Sequence, residues 1–318
     1  MFDIVGIGTV LIDFTPNGVS KNGNTLYEQN PGGSIANFLV AATRRGARCA
    51  CISKVGDDMF GRFLRKTLTH EGIDVRGVSL SPAHLTPCAF VRLGEKGERE
   101  FVFYHHDTAD VMLAREDVPL DILEAARAVH VTSLILSGSS SRKAALHALD
   151  YARARDKLIT YDINWREDIW KDKDSGLAVV GEVIRQTDIL KVSDEELVLL
   201  TDEFDANTAA QAILARGPRL LVVTSGERGS SFYTPYESGH ALAYPAKPID
   251  TTGAGDCHFG VFVEGFVRGG MCVDYLERDA LLSLLKAANK AAAQCVEGYG
   301  GIPSIPYANE FTGVTIRE

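Results

Sequence analysis

Short apolar runs of strand length alternate with longer stretches of helical periodicity almost from one end of this 318-residue chain to the other. That alternation restricts it to βαβ units packed around a mostly parallel sheet, an α/β fold. Phe2–Gly8 reads as the first strand. The period then changes to that of a helix with one buried stripe at Ile35, Phe38, Leu39 and Ala42, opened by Gly32-Gly33-Ser34 and closed at Gly46. Strands are predicted at Arg48–Val55, Ala128–Ser133, Lys157–Asp162, Asp188–Val192 and Leu220–Thr224, and helices at Met59–His70 and Ser141–Arg155. Two stretches break the rhythm. Thr86–Leu93 and Arg99–Tyr104 flank the turn Gly94-Glu95-Lys96-Gly97 and read as an antiparallel hairpin, while Asn17–Asn30 is polar, helix-poor and rich in turn formers. Together they predict a small sheet projecting from the main body as a lid, spanning about 14–31 and 86–106. No repeat or Pro-rich linker divides the rest, so a single domain over 1–318 is expected.

Composition narrows the function. The chain is 45% apolar and 24% charged, with a net charge of -9 from 33 basic and 42 acidic residues. An acidic surface repels phosphate backbones and anionic membranes, so neither nucleic acid nor membrane is an expected partner. No window approaches the ~18 uninterrupted apolar residues of a membrane span, and Phe2–Phe14 lacks the basic start of a secretion signal. The six cysteines (Cys49, Cys51, Cys88, Cys257, Cys272 and Cys295) show no CxxC pair and no zinc spacing. They read as reduced thiols in a cytoplasmic protein that acts on a small molecule.

The most informative segment is Asp250-Thr251-Thr252-Gly253-Ala254-Gly255-Asp256, which runs into an amphipathic helix carrying Phe259, Phe262, Val263 and Phe266. A loop of small residues at a helix N-terminus brings backbone N–H groups close to an anion, and the helix dipole favours negative charge there. A plain tight turn with a capping aspartate would use the same residue types. Asp256 distinguishes the two. A carboxylate beside a bound phosphate costs free energy unless it has a chemical task, and abstracting the proton of an attacking hydroxyl is such a task. Other phosphate devices are missing: there is no GxxxxGK[ST] loop, and Gly6-Ile7-Gly8 continues as Thr9-Val10-Leu11 without the third glycine of a dinucleotide fingerprint. An NAD-dependent oxidoreductase is therefore disfavoured, and without a Gly-x-Ser-x-Gly elbow a hydrolase lacks its nucleophile.

These residues, with Gly32-Gly33-Ser34-Ile35-Ala36-Asn37, Gly46 and Gly56, resemble the paired signatures of the ribokinase-like (PfkB) carbohydrate kinases. The resemblance runs through Gly6 and Asp13, Val55-Gly56-Asp57-Asp58, Gly72-Ile73-Asp74, Lys191, Thr224-x-Gly226-x-x-Gly229, Asn289 and Gly301-Ile302-Pro303-x-x-Pro306. Phe101–Tyr104 with Thr108-Ala109-Asp110, and Tyr161-Asp162-x-Asn164-x-Arg166 leading to Trp170, are most similar to bacterial fructokinases. The resemblance implies a ribokinase-like three-layer αβα fold with a small β lid, and transfer of the ATP γ-phosphoryl group to a sugar hydroxyl, fructose first. Kinases of 2-keto-3-deoxygluconate, ribose or nucleosides, and a catalytically silent sugar sensor, stay open beside it.

By the same resemblance Asp256 is the base, Gly253, Ala254 and Gly255 form the anion hole, and Arg166 faces the transferred phosphate or the sugar. Asp13, Gly33, Asn37 and Phe103 match sugar-contacting positions. Lys191, Ser193, Thr224, Gly226, Gly229 and Asn289 match the nucleotide site, with Asn289 near adenine. Taken singly, an Asp after a strand or an Asn in a first helical turn is an ordinary cap, Arg166 could pair with Glu167 or Asp168, and Asn289 could face solvent. Magnesium is implied, with Glu196 holding it through water, and a monovalent cation such as K+ and a homodimer paired through the lid remain open options. Three departures bear on the site. Ile35 and Val261 stand where the family has smaller residues, Ser193 replaces the amide of Asn-x-x-Glu, and His105-His106 replaces a lid arginine on the sugar side.

Overall fold

The computed structural model of the protein describes residues 1–93 and 99–310; the turn expected at Gly94–Gly97 lies outside them. The strands are β1 (Phe2–Ile7), β2 (Leu11–Val19), β3 (Thr25–Gly32), β4 (Cys49–Gly56), β5 (Asp74–Ser81), β6 (Cys88–Leu93), β7 (Arg99–Tyr104), β8 (Ala126–Thr132), β9 (Leu158–Asp162), β10 (Ile189–Ser193), β11 (Leu220–Thr224), β12 (Ser230–Tyr233) and β13 (Ser238–Ala241). The helices are α1 (Ser34–Arg44), α2 (Met59–His70), α3 (Leu120–Glu124), α4 (Ser139–Arg153), α5 (Lys173–Ile184), α6 (Asp194–Thr201), α7 (Ala206–Leu214), α8 (Ala254–Arg268), α9 (Arg278–Cys295) and α10 (Gly301–Ser304).

Among the described residues, nine strands form the main sheet in the order β13-β12-β11-β10-β9-β8-β1-β4-β5. The run from β11 to β5 is parallel, and β12 and β13 add an antiparallel edge. Strands covered on both faces must be apolar on both, and β1 shows this. Ile4 joins the core under α1, α2, α8 and α9, whereas Val5 and Ile7 join the core under α3 to α7. The expected three-layer α/β architecture is therefore present, with most element ends within a residue or two of their sequence positions.

Gly6 and Gly8 explain how Ile35 is accommodated. A β-carbon at either would lie 2.8 or 2.7 Å from Ile35, so their bareness lets α1 settle on the sheet. Eight consecutive α1 residues, Ile35 to Ala42, are buried. At ~1.5–3 kcal/mol for each large apolar side chain removed from water, Ile35, Phe38, Leu39 and Val40 fix this helix firmly. Val261, the other departure in size, is buried in the same core.

The two irregular stretches do pair with each other, forming a second sheet in the order β3-β2-β6-β7. It begins three residues earlier than the pattern indicated, because Leu11 already pairs with Gly32 and Asp13 with Asn30. Its inner face packs Leu11, Ala89 and Phe103 against Leu134. On the opposite face Phe14 stacks on Phe90 at 4.7 Å and meets Phe60 of α2 edge-on at 5.6 Å. Tyr27, Val102 and Tyr104 remain about half exposed.

Candidate active site

Helix α8 starts in a cradle made by its own loop. Gly253 caps it in the left-handed region, φ 78°, a conformation a side chain would disfavour. Helix geometry leaves the first amides without intrahelical partners. The N–H of Ala254 is drawn to the Thr251 carbonyl at 3.3 Å, whereas Gly255 and Asp256 border a cavity of about 350 Å³ at the carboxyl ends of β9, β10 and β11, where open α/β sheets bind ligands. Asp250 holds the loop in place, accepting from the Thr252 and Gly300 amides at 2.8 and 2.9 Å.

Asp256 is buried and faces this cavity. Its two oxygens accept from Ser34 Oγ at 2.5 Å and Asn37 Nδ2 at 2.9 Å, both from the first turn or two of α1. Asn37 is therefore no local cap. It orients Asp256 across 219 positions of sequence, while its own Oδ1 meets no hydrogen-bond donor among the described residues.

Opposite stands Asp13, 4% exposed, with no hydrogen bond or ion pair to the described residues from its carboxylate. Burial, followed by the charges of Asp256 and Asp250, pushes its pKa up to about 7, against the pull of Arg166. Arg166 enters from the loop after β9 and donates to the Trp165 carbonyl at 3.0 Å. Arg166 lines the cavity, whereas Asp168 borders a separate groove, so the surface pairing is not the arrangement among the described residues.

The third wall is ionic. Lys191 on β10 donates to both oxygens of Asp162 at 3.0 and 3.1 Å, both side chains being buried. Burial works against the ammonium, yet Asp162, Glu196 and Asp256 outweigh it and hold its pKa above the ordinary lysine value. Its Nζ lies 3.0 Å from where a side chain at Gly255 would begin. A buried cation at the positive end of α8 marks space for an anion. Ser193 caps α6 and accepts from the Glu196 amide at 3.1 Å, while Glu196 accepts from the Ser193 and Trp165 amides at 2.7 and 2.6 Å. Ser193-x-x-Glu196 is thus a capping box, a reading its spacing would have allowed. Burial pushes the Glu196 carboxyl above the usual carboxylate range.

The cavity brings together Asp13, Gly33, Asn37, Phe103, Arg166, Lys191, Ser193, Glu196, Thr224, Gly253, Gly255 and Asp256. It also includes Ser34, Asn164, Thr251 and Thr252, none of which pattern reasoning assigned a role. Four expectations fall outside it. Ala254 does not line it. Gly226 and Gly229 form the turn beyond β11. Asn289 is neither solvent-exposed nor free to meet a base. It is 5% exposed, its amide donates to the Ala241 and Leu242 carbonyls, and its oxygen accepts from Ser230 and His258. That side chain pins α9 to the sheet edge.

His105 and His106 also need correction, since neither reaches the cavity. His105 is buried against Asp110 at 2.5 Å in a cluster with Thr9 and Thr108. His106 faces a larger groove of about 900 Å³ on the far side of Phe103. No group of three or more His, Cys, Asp or Glu able to cage a metal occurs among the described residues. An ion such as magnesium needs no such cage, because it binds through one or two carboxylates and substrate phosphates. Glu196 fits, since each oxygen keeps a lone pair after its backbone bond. No helix among the described residues is long and apolar enough to cross a membrane.

Comparison with known proteins agrees with this geometry. Residues 1–308 match the pattern described as pfkB family carbohydrate kinase. A probable fructokinase-5 of Arabidopsis thaliana is 34% identical over 306 residues, covering 95% of this chain and 94% of that protein. Fructokinase-1 of Zea mays is 33% identical over 306 residues, with 95% and 94% covered. Among solved structures, fructokinase from Vibrio cholerae O395 in its fructose, ADP and calcium ion bound form superposes with a TM-score of 0.88 at 31% identity, covering 97% of each chain. Fructokinase with bound ATP from Xylella fastidiosa gives a TM-score of 0.90 at 25% identity, covering 97% and 96%.

Proposed function

The chain belongs to the pfkB family of carbohydrate kinases, phosphotransferases with an alcohol acceptor on a ribokinase-like fold, and from that premise we propose that it phosphorylates fructose with ATP. The observation that carries this reading is Asp256, a buried carboxylate at the N-terminus of α8, held from behind by Ser34 and Asn37 and facing Asp13 across one cavity.

In this mechanism the sugar lies between Asp13, Gly33, Phe103 and Asp256. Asp13 accepts hydrogen bonds from neighbouring sugar hydroxyls. Asp256 takes the proton of the attacking hydroxyl with a lone pair that Ser34 and Asn37 leave unused, as its oxygen closes on the γ-phosphorus. The transition state is loose, so the protein mainly positions groups and neutralises charge. The amides of Gly255 and Asp256, the Lys191 ammonium and the Arg166 guanidinium do so. ATP lies along the ends of β10 and β11, beside Lys191, Ser193 and Thr224, its outer part over the Gly226–Gly229 turn. Magnesium, held through water by Glu196, would neutralise charge on the transferring phosphates.

The similar fructokinases of Arabidopsis thaliana and Zea mays and the fructose bound in the Vibrio cholerae structure support the acceptor. The ATP, magnesium, calcium and potassium bound in related structures support the nucleotide and a cation requirement. Two further points follow the same reading. The half-exposed Tyr27, Val102 and Tyr104 offer a surface for a homodimer paired through the small sheet, and six free cysteines favour the reducing cytoplasm.

A coupled assay of ADP release over fructose, ribose, 2-keto-3-deoxygluconate and nucleosides tests the reading. Fructose is expected to give the highest kcat/KM. A different best acceptor would move the substrate, and no turnover with any would favour the sensor.

A further inference from the structure

The loop carrying Arg166 is braced by an arch of two tryptophans that do not line the cavity. Trp165 and Trp170 stack with ring centroids 5.5 Å apart and planes 11° from parallel, close to the favoured offset geometry. Both rings lie over buried Gly176 of α5, where a β-carbon would come within 2.7 Å of each indole. Trp165 is also fixed by its backbone. Its N–H donates to Glu196 Oε1 at 2.6 Å, and its carbonyl accepts from the Arg166 guanidinium at 3.0 Å. Asn164, just before it, takes φ 40°, uncommon outside glycine. Glu196 in turn accepts from Ser193 at the head of α6. One residue is thus tied to α5 by its ring, to α6 by its amide and to Arg166 by its carbonyl.

We propose that Trp165 is a positioning residue for Arg166, and that Gly176 is the bare site on α5 that lets the stacked indoles hold this loop over the cavity. The proposal rests on Arg166 acting in the transfer as described above. A guanidinium on an unbraced loop would sample many directions, and a shift of about 1 Å at a charge-neutralising group can cost up to ~10²-fold in rate. If the rings only filled space, damaging them would lower stability and leave the contribution of Arg166 intact.

A double-mutant cycle separates these cases, using the monosaccharide that the native enzyme turns over fastest. Alanine is the better helix former, so Gly176→Ala leaves α5 intact and displaces the indoles. It should lower kcat by about 10- to 100-fold. It should also shift intrinsic fluorescence, which reports the arch directly because the chain's two tryptophans are both in it. Placed on Arg166→Ala, the same substitution should lower kcat no further, because both act through one group. Trp165→Phe keeps a stacking ring and should retain most of the activity that Trp165→Ala loses. Equal losses from Gly176→Ala in both backgrounds, or shifted fluorescence with unchanged kcat, would overturn the arch and leave Arg166 in the mechanism. An unchanged kcat in Arg166→Ala alone would instead remove Arg166 from the reaction, and the arch with it.

Discussion

The wall of the cavity built from the main sheet and its helices pairs the charges it buries, whereas the wall supplied by the small sheet leaves one carboxylate without a partner. Lys191 is matched by Asp162, Glu196 by two backbone amides, and Asp256 by Ser34 and Asn37. Asp13, equally buried, has no such partner among the described residues. In the proposed function the paired wall receives the phosphates, and because its charges are already matched its groups need little rearrangement as charge develops. In the same reading the sugar's hydroxyls complete the unpaired wall, supplying the hydrogen bonds that a buried carboxylate needs. Preorganisation on one side and an unmet demand on the other give a site that ATP alone does not satisfy.

The contrast can be broken at its centre first. Asp256→Asn keeps the shape and the Ser34 bond but cannot accept a proton. It should lower kcat by about 10²- to 10⁴-fold while calorimetric ATP affinity changes little, and unchanged turnover would remove Asp256 from the mechanism. Next is Lys191→Met, which strands Asp162 as a buried charge. Chemical denaturation should show a loss of about 3–5 kcal/mol, largely recovered when Asp162→Asn is added. A loss that the second change does not relieve would show that the pair is not the paired unit described here. On the unpaired side, Asp13→Asn should raise the KM for sugar by about 10- to 100-fold, the worth of hydrogen bonds to a charged group. The KM for ATP should hold, and an equal rise in both constants would erase the distinction between the walls.

The parts legible in the sequence are those fixed by local geometry. The start of α8 could be read because small residues must stand where a helix meets an anion, and the hairpin of the small sheet because its alternation and turn lie within some twenty residues. The fold class followed from periodicity, and the family resemblance supplied the long-range arrangement. What stayed hidden depends on contacts between distant segments. That Ser34 and Asn37 serve Asp256 cannot be seen from a helix start two hundred positions away. Asn289 looked like a surface residue on an Ala-rich helix because the carbonyls that bury it belong to the end of β13 and its following loop. His105-His106 suggested a change in sugar contacts, yet Asp110 takes the first ring inward and the second faces another groove.

The unpaired carboxylate is the feature most open to direct measurement. Burial and the neighbouring Asp256 and Asp250 push the pKa of Asp13 up to about 7, so it titrates near neutral pH rather than in the usual carboxylate range. If Asp13 binds the sugar as proposed, the sugar's hydroxyls donate to the ionised form and binding expels the carboxyl proton. The KM for sugar should therefore rise about tenfold for each pH unit below 7. Titrating fructose calorimetrically at pH 7 in buffers of different ionisation heat counts the protons. Sugar binding is expected to release protons, more of them as the pH is lowered through 7, and binding with no proton release would contradict an unpaired, sugar-binding Asp13.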